Sequence, residues 1–206
     1  MKFSYYKAPI KNTAPYREIT LDEVYKVING DYLKQVTDKV RGASRIEYRG
    51  TKGLTSEYKE LKQTLLPCAT FAGTFTKRQT ANIKALSGLM CFDFDHIDNP
   101  EPLKDKLSKE ESIQLIFTSP GGEGLKVVLT DPMECDTYED QYKVLAQYFL
   151  KKYNLIADNT SDISRACFLC HDPKAWLRSK QPYFETLKDG RVIEMHPSGY
   201  PLDWAI

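Results

Sequence analysis

The sequence has no long apolar run, no excess of charge of either sign and only five cysteines. Nowhere does it approach the roughly 20 consecutive apolar residues of a membrane-spanning helix, and the opening "MKFSYYKAPIKN" has no apolar stretch long enough for a secretory signal. A cytoplasmic protein with no membrane partner is therefore expected. Lys plus Arg number 29 against 28 Asp plus Glu, so global basicity does not advertise nucleic acid, although a local excess still can. The cysteines (Cys68, Cys91, Cys135, Cys167 and Cys170) form an odd set lying mostly within apolar runs. That suits reduced thiols better than a disulfide framework. What remains is ordinary for a soluble globule: 206 residues, 41% hydrophobic and 28% charged, without internal repeats, low-complexity tracts or flexible linkers.

Secondary-structure signals divide the chain into three parts. In "TLDEVYKVINGDYLKQVTDKVR", residues 20–41, Thr20 precedes an acidic first turn and apolar positions recur at helical spacing until Asn29-Gly30, which predicts two short helices. "TSEYKELKQTLL" at 55–66 predicts a third helix ended by Pro67, and "CATFAGTF" at 68–75 predicts a strand. From residue 88 the pattern becomes regular: strand "GLMCFDFDHI", helix from Pro100 to Glu111, strand "SIQLIFTS", loop "PGGEG", strand "LKVVLT", helix from Asp136 to Tyr153 and strand "RACFLCH". This β-α-β-β-α-β order predicts an α+β fold with an RRM/ferredoxin-like antiparallel sheet, helices on one face and the other face free. The expected organisation is one domain over 1–206, with a helical N-terminal lobe at 1–85, the sheet core at 86–173 and a C-terminal extension at 174–206. A hairpin turning at "KDGR", 188–191, is expected in that extension, which also carries Trp176 and Trp204.

The segment "GLMCFDFDHID" places Asp93 and Asp95 two positions apart on a strand that otherwise reads as core. Aspartate is a poor strand former and costly to bury unpaired, so the pair needs a counter-ion, unless it is an ordinary turn or helix cap at the strand end. Right-handed crossovers place the third strand between the first two and the fourth on the free side of the first. The starts of strands three and four then lie beside the two aspartates. They bring Lys126 and the segment "DNTSDISR", with Asp158, Asp162 and Arg165. Side-chain alternation puts Phe92 and Phe94 under the helices and Asp93, Asp95 and Lys126 on the free face. The glycine-rich turn at 121–124, with Gly122 and Gly124, hangs over them. Carboxylates offer hard oxygen ligands for Mg²⁺ or Mn²⁺, and backbone amides of glycine turns cradle phosphate. "CFLCH" at 167–171 matches the c-type haem pattern literally, but its strand-like setting and the missing signal peptide favour core packing, and zinc lacks a second ligand pair. The basic segment 40–53, "VRGASRIEYRGTKG", reads as a solvated loop or a single-strand contact.

These motifs, in this order, resemble the archaeo-eukaryotic primase (prim-pol) superfamily: "FDFD", then "SPGGEGLKVVL", then "SDISRACF". More narrowly, "LKQTLLPCATFAGTF", "GLMCFDFD", "GEGLKV" and "DISRACFLCHDP" resemble the N-terminal primase-like domain of virulence-associated protein E, over roughly residues 40–175. The resemblance implies template-directed nucleotidyl transfer in the replication of a mobile genetic element. Its partners are then nucleoside triphosphates, a single-stranded DNA template and a helicase domain, fused or separate. Asp93, Asp95 and a third acid, Asp162 in preference to Asp158, are the implied catalytic metal ligands for Mg²⁺ or Mn²⁺. Lys126, Gly122, Gly124 and Arg165 are the implied nucleotide-binding residues. The second motif departs from many prim-pols in carrying Lys126 where they have histidine, which keeps a point charge for phosphate and removes the imidazole. The alternative is a nucleotide- or nucleic-acid-binding module that keeps the fold without turnover.

Overall fold

Strands buried on both faces organise the molecule. The structure, a computed structural model, describes residues 1–50, 53–131, 135–159 and 161–178, together with the strands at 183–186 and 192–195. β1 (Phe3–Tyr6) and β2 (Arg17–Ile19) lead into α1 (Leu21–Asn29) and α2 (Lys34–Arg41). Thr20 and Glu23 close a capping box ahead of α1, which satisfies two otherwise unpaired amides. The hairpin β3 (Tyr48–Gly50) and β4 (Gly53–Thr55) precedes α3 (Glu57–Leu65), which the Ser56 hydroxyl caps at the Lys59 amide. The strand expected at 68–75 is split by a turn into β5 (Cys68–Thr70) and β6 (Gly73–Phe75), and β6 pairs with β7 (Ile83–Leu86). Then come β8 (Leu89–Asp95), α4 (Pro100–Leu107), β9 (Ile113–Thr118), β10 (Gly124–Thr130), α5 (Tyr138–Tyr153), β11 (Cys167–Phe168) and β12 (Trp176–Leu177). β13 (Tyr183–Thr186) and β14 (Val192–Met195) form the hairpin expected in the extension. Its turn at 188–191 and Trp204 lie outside the described residues. The fold is α+β, with antiparallel sheets and five α-helices among the described residues. None of these helices is long and apolar enough to cross a membrane.

Two four-stranded sheets carry the core, in the orders β11-β5-β1-β2 and β12-β9-β10-β8. β10 lies between β8 and β9, as the crossovers predict. The fourth strand does not go where they predict. It shrinks to Cys167–Phe168 and pairs with β5 in the other sheet, leaving β8 as an edge, while β12 closes the far side on β9. The reason lies in the N-terminal lobe, which is not purely helical: β1, β2 and β5 leave an open edge on β5, and β11 together with the Leu169 N–H donated to the Pro67 carbonyl (2.9 Å) satisfies it. The outer edge of β8 is covered instead by side chain and loop. The Asp158 amide donates to the Asp93 carbonyl (2.9 Å), and the Cys91 backbone hydrogen-bonds the Tyr138 hydroxyl.

The second correction concerns the face expected to be free. One face of β8, β9 and β10 presents Met90, Phe92, Phe94, Ile116, Leu125 and Val127 to α4 and α5, with Phe92 stacked on Tyr142 at 4.3 Å. The other presents Leu89, Leu115, Phe117 and Val128, and these pack against Phe3, Ile28 and Val40 of the N-terminal lobe and against Leu169, which follows β11. Burial on two sides explains why "GLKVVLT" is apolar almost without alternation. The face carrying Asp93 is therefore closed along most of its length. It opens only at the strand end where the aspartates sit.

Two polar knots fasten the helical layer. Asp172, 5% exposed, accepts from Lys104 Nζ (2.8 Å), the Thr118 amide (2.6 Å) and the Lys174 amide (3.0 Å), joining α4 to β9 and the chain beyond β11. Glu110 accepts from Lys152 and from the hydroxyls of Tyr148 and Tyr153 at the end of α5. Lys152 and Tyr153 hold its carboxyl down at about 2, from an ordinary 4.5. A depressed carboxyl stabilises the fold above its unfolded value and loses that contribution as pH falls through the folded one. Stability is thus expected to decline between about pH 4.5 and pH 2. Glu110→Gln should lose about 1 kcal/mol at pH 7 and less at pH 3, measured by urea titration.

Candidate functional site

The end of β8 is where two aspartates leave the core. Side-chain alternation puts Asp93 and Asp95 on one face, and the antiparallel register sets Lys126 opposite Asp93 and Gly124 opposite Asp95. The chain then turns through a left-handed His96 (φ 59°), and the Ile97 amide donates to the Glu123 carbonyl at 3.0 Å. Gly124 is required here because a Cβ would meet the Phe94 carbonyl oxygen at 2.5 Å. Both aspartates face a cavity of about 400 Å³.

Unmet negative charge gathers at this point. Lys126 Nζ, on a residue only 8% exposed, pairs with Asp93 Oδ2, while Asp93 Oδ1 is buried and accepts no hydrogen bond among the described residues. Burial pushes the Asp95 carboxyl up and Asp158 pushes it further, with His96 and Lys62 opposing. Asp158 lines the same cavity. Asp162 does not. It faces a smaller neighbouring recess, and its carboxylate accepts from Thr80 Oγ1 (2.9 Å), the Ser164 amide (2.9 Å) and the Ser164 hydroxyl (3.1 Å). Asp162 thus braces the turn that enters β11; it shares the smaller recess with Asp93, Lys126 and Arg165, while Asp158 shares the larger cavity with Asp93 and Asp95.

Cations also line this cavity: Lys126, paired with Asp93, and Arg165, joined by Lys62, Arg78 and Arg45. Burial lowers Lys62, and the nearby positive charges of Lys126 and Arg165 lower it further, against Asp95. Lys62 Nζ also lies 5.2 Å from the Tyr58 ring centre and 5.5 Å from that of Phe168, two aromatic faces in the cavity wall. Arg78 Nε is buried without a hydrogen-bond partner among the described residues.

The 119–124 turn is latched by two arginines. Arg45 donates to the Glu123 carboxylate (2.8 Å) and to the Gly121 carbonyl (2.9 Å), and Arg41 reaches the Ser119 and Pro120 carbonyls (3.4 Å each). The Gly122 amide already donates to the Ser119 carbonyl (2.9 Å), at a positive φ of 82°, and Gly124 is committed to the β8–β10 ladder. Gly121 and Glu123, and neither Gly122 nor Gly124, line the cavity.

Among the wall residues not singled out as site residues from sequence are the cations and aromatics Arg45, Tyr58, Lys62, Arg78 and Phe168. Arg45 lies in the basic segment noted at 40–53. Lys62 sits one turn before the end of α3, and Arg78 follows a polar run without any periodic signal.

As for metal, among the described residues no three of His, Cys, Asp and Glu come together as a metal-holding group. Asp93 Oδ1 without a donor and Asp95 with its raised carboxyl nevertheless fit a divalent cation that completes its shell with ligands of its own, as Mg²⁺ does with phosphates and water.

Comparison with curated proteins and with solved structures returned no match. The family model of BT4734-like N-terminal domains matches residues 60–176, a span holding Asp93, Asp95, Lys126, Asp158 and Arg165. That stretch is more than half of the 206 residues. The chain therefore belongs to the family of BT4734-like N-terminal domains.

Proposed function

We propose that the chain is a primase/polymerase-like nucleotidyltransferase domain that joins nucleotides on a single-stranded DNA template. One observation carries this reading: Asp93 and Asp95 open into a 400 Å³ cavity whose walls also carry Lys62, Lys126 and Arg165. Incompletely satisfied carboxylates beside several cations suit a polyanion that arrives with its own cation. A nucleoside triphosphate with Mg²⁺ or Mn²⁺ is such a ligand. The bound ion supplies the charge that activates a primer 3′-hydroxyl and stabilises departing pyrophosphate. Asp93 and Asp95 hold that ion, Asp158 stands beside them, and Lys62, Lys126 and Arg165 hold the phosphates. In this reading β8, α4, β9, β10 and α5 are the RRM-like part of a prim-pol core. The sequence motifs support that assignment, and with it a role in mobile-element replication beside a helicase domain.

A second reading, a binding module without turnover, is favoured by the Lys126 ammonium lying on Asp93, where catalysis would want metal. The test is synthesis on single-stranded DNA with labelled nucleotides and Mn²⁺ or Mg²⁺. Extended products are expected from the unmodified chain and none from Asp95→Asn, with nucleotide binding retained. Binding of nucleotide and DNA without extension under either metal would establish the binding module. Failure to bind nucleotide at all would overturn both readings.

A further inference from the structure

Cys91 and Cys167 meet across the interface between the two sheets. Cys91 stands on β8, opposite Val128 on the face that packs against the N-terminal lobe, and Cys167 begins β11, which its pairing with β5 lays against that face. Each thiol donates to the carbonyl of the residue after it, Cys91 to Phe92 (3.9 Å) and Cys167 to Phe168 (3.8 Å), and each thiol shifts the titration of the other. A recess of about 30 Å³ touches both sulfur-bearing residues, and Lys126, Arg165 and the Tyr138 ring also line it. That volume admits one or two water-sized molecules. Cys91 is half-buried and Cys167 is 8% exposed, so the pair is shielded from large reagents but next to a small inlet. The other buried thiols are placed differently. Burial pushes Cys68 and Cys170 up to about 12, and Cys170 donates to the Thr118 carbonyl at 3.1 Å.

We propose that Cys91 and Cys167 are a reversible dithiol–disulfide couple oxidised by small hydroperoxides that enter this recess. The Cys167 sulfur, beside the positive charges of Lys126 and Arg165, attacks the peroxide oxygen. The Cys167 thiolate takes the terminal OH, the O–O bond breaks, a Cys167 sulfenic acid forms and the alkoxide leaves, which for hydrogen peroxide is hydroxide. The Cys91 sulfur then displaces the sulfenic oxygen: an S–S bond forms, the S–O bond breaks, and the Cys91 proton leaves with that oxygen as water. Two electrons pass from the thiols to the peroxide, and a dithiol reductant returns them. The linkage ties β8 to β11, between Asp93 and Arg165, and it stands independently of nucleotidyl transfer.

The test uses the full, reduced chain treated with hydrogen peroxide, then alkylated under denaturing conditions and mapped by mass spectrometry. Alkylatable thiols are expected to fall from five to three, with a Cys91–Cys167 cross-linked peptide that dithiothreitol abolishes. In Cys91→Ala, Cys167 should stop at a sulfenic acid trapped by dimedone. Persistence of all five thiols at peroxide levels that oxidise an unfolded control, or a cross-link joining a different pair, would overturn the proposal. The peptide map of the unmodified chain decides the matter even if the variant does not fold.

Discussion

Lys126→Met is expected to cost about 3–5 kcal/mol of stability and to lower the melting temperature by about 6–20 °C. The ammonium of Lys126 is the partner of Asp93 Oδ2, and the two side chains are 10% and 20% exposed. Asp93 Oδ1 has no hydrogen-bond donor among the described residues, so removing the lysine leaves a mostly buried carboxylate without its paired cation. Methionine fills a similar volume, which confines the loss to charge and not to packing. Adding Asp93→Asn to Lys126→Met should restore most of the loss, because an amide carries no charge to solvate. Thermal melts of the four proteins form a double-mutant cycle, whose coupling energy is the measurement that checks the pair. If Lys126→Met melts within about 2 °C of the unmodified chain, the lysine does not stabilise the fold.

Asp172→Ala is the other substitution of this size, again at about 3–5 kcal/mol. It leaves the Lys104 ammonium, 4% exposed, with only the half-exposed Glu101 carboxylate and the Lys174 carbonyl as partners, and removes the acceptor of the Thr118 and Lys174 amides. Burial pushes the Asp172 carboxyl up, yet Lys104 and the Thr118 amide bring it below the ordinary 3.8. A group depressed in the fold stabilises it above its unfolded value, and this contribution vanishes as pH falls below about 4. Asp172→Asn keeps the shape and loses the charge, so its deficit against the unmodified chain should be clear at pH 7 and shrink by pH 3. A deficit independent of pH would show that packing, and not the ion pair, fixes this corner.

Much of the architecture was legible because local signals were strong. Thr20 and Ser56 marked helix starts through their hydroxyls, and the crossover rule placed β10 between its neighbours. Alternation on β8 and β10 was enough to set Asp93 beside Lys126. The fate of "RACFLCH" was not legible. Its apolar pattern serves equally well on either sheet, and the choice fell to β5, whose open edge is built by β1 and β2 at the other end of the chain. The preference for Asp162 over Asp158 treated the acid nearest the strand as the one facing the site. "DIS" is instead a turn in which Asp162 accepts from its own Ser164, a local pattern that the sequence does carry. Lys62 and Arg78 could not be found from spacing, since only tertiary packing brings α3 and the 76–82 turn to the end of β8.

The unpaired edge of β8 has a consequence for solubility. A seven-residue strand containing Leu, Met, Cys and two Phe, open along one side, is a template onto which another chain can add. Here the template is masked by the Tyr138 hydroxyl and the Asp158 amide, while Asp93 and Asp95 place charge where a second strand would dock. The aspartates thus act as gatekeepers against self-association as well as lining a cavity. Any change that lifts the Asp158 amide from the strand, even one that leaves every core contact intact, should increase aggregation.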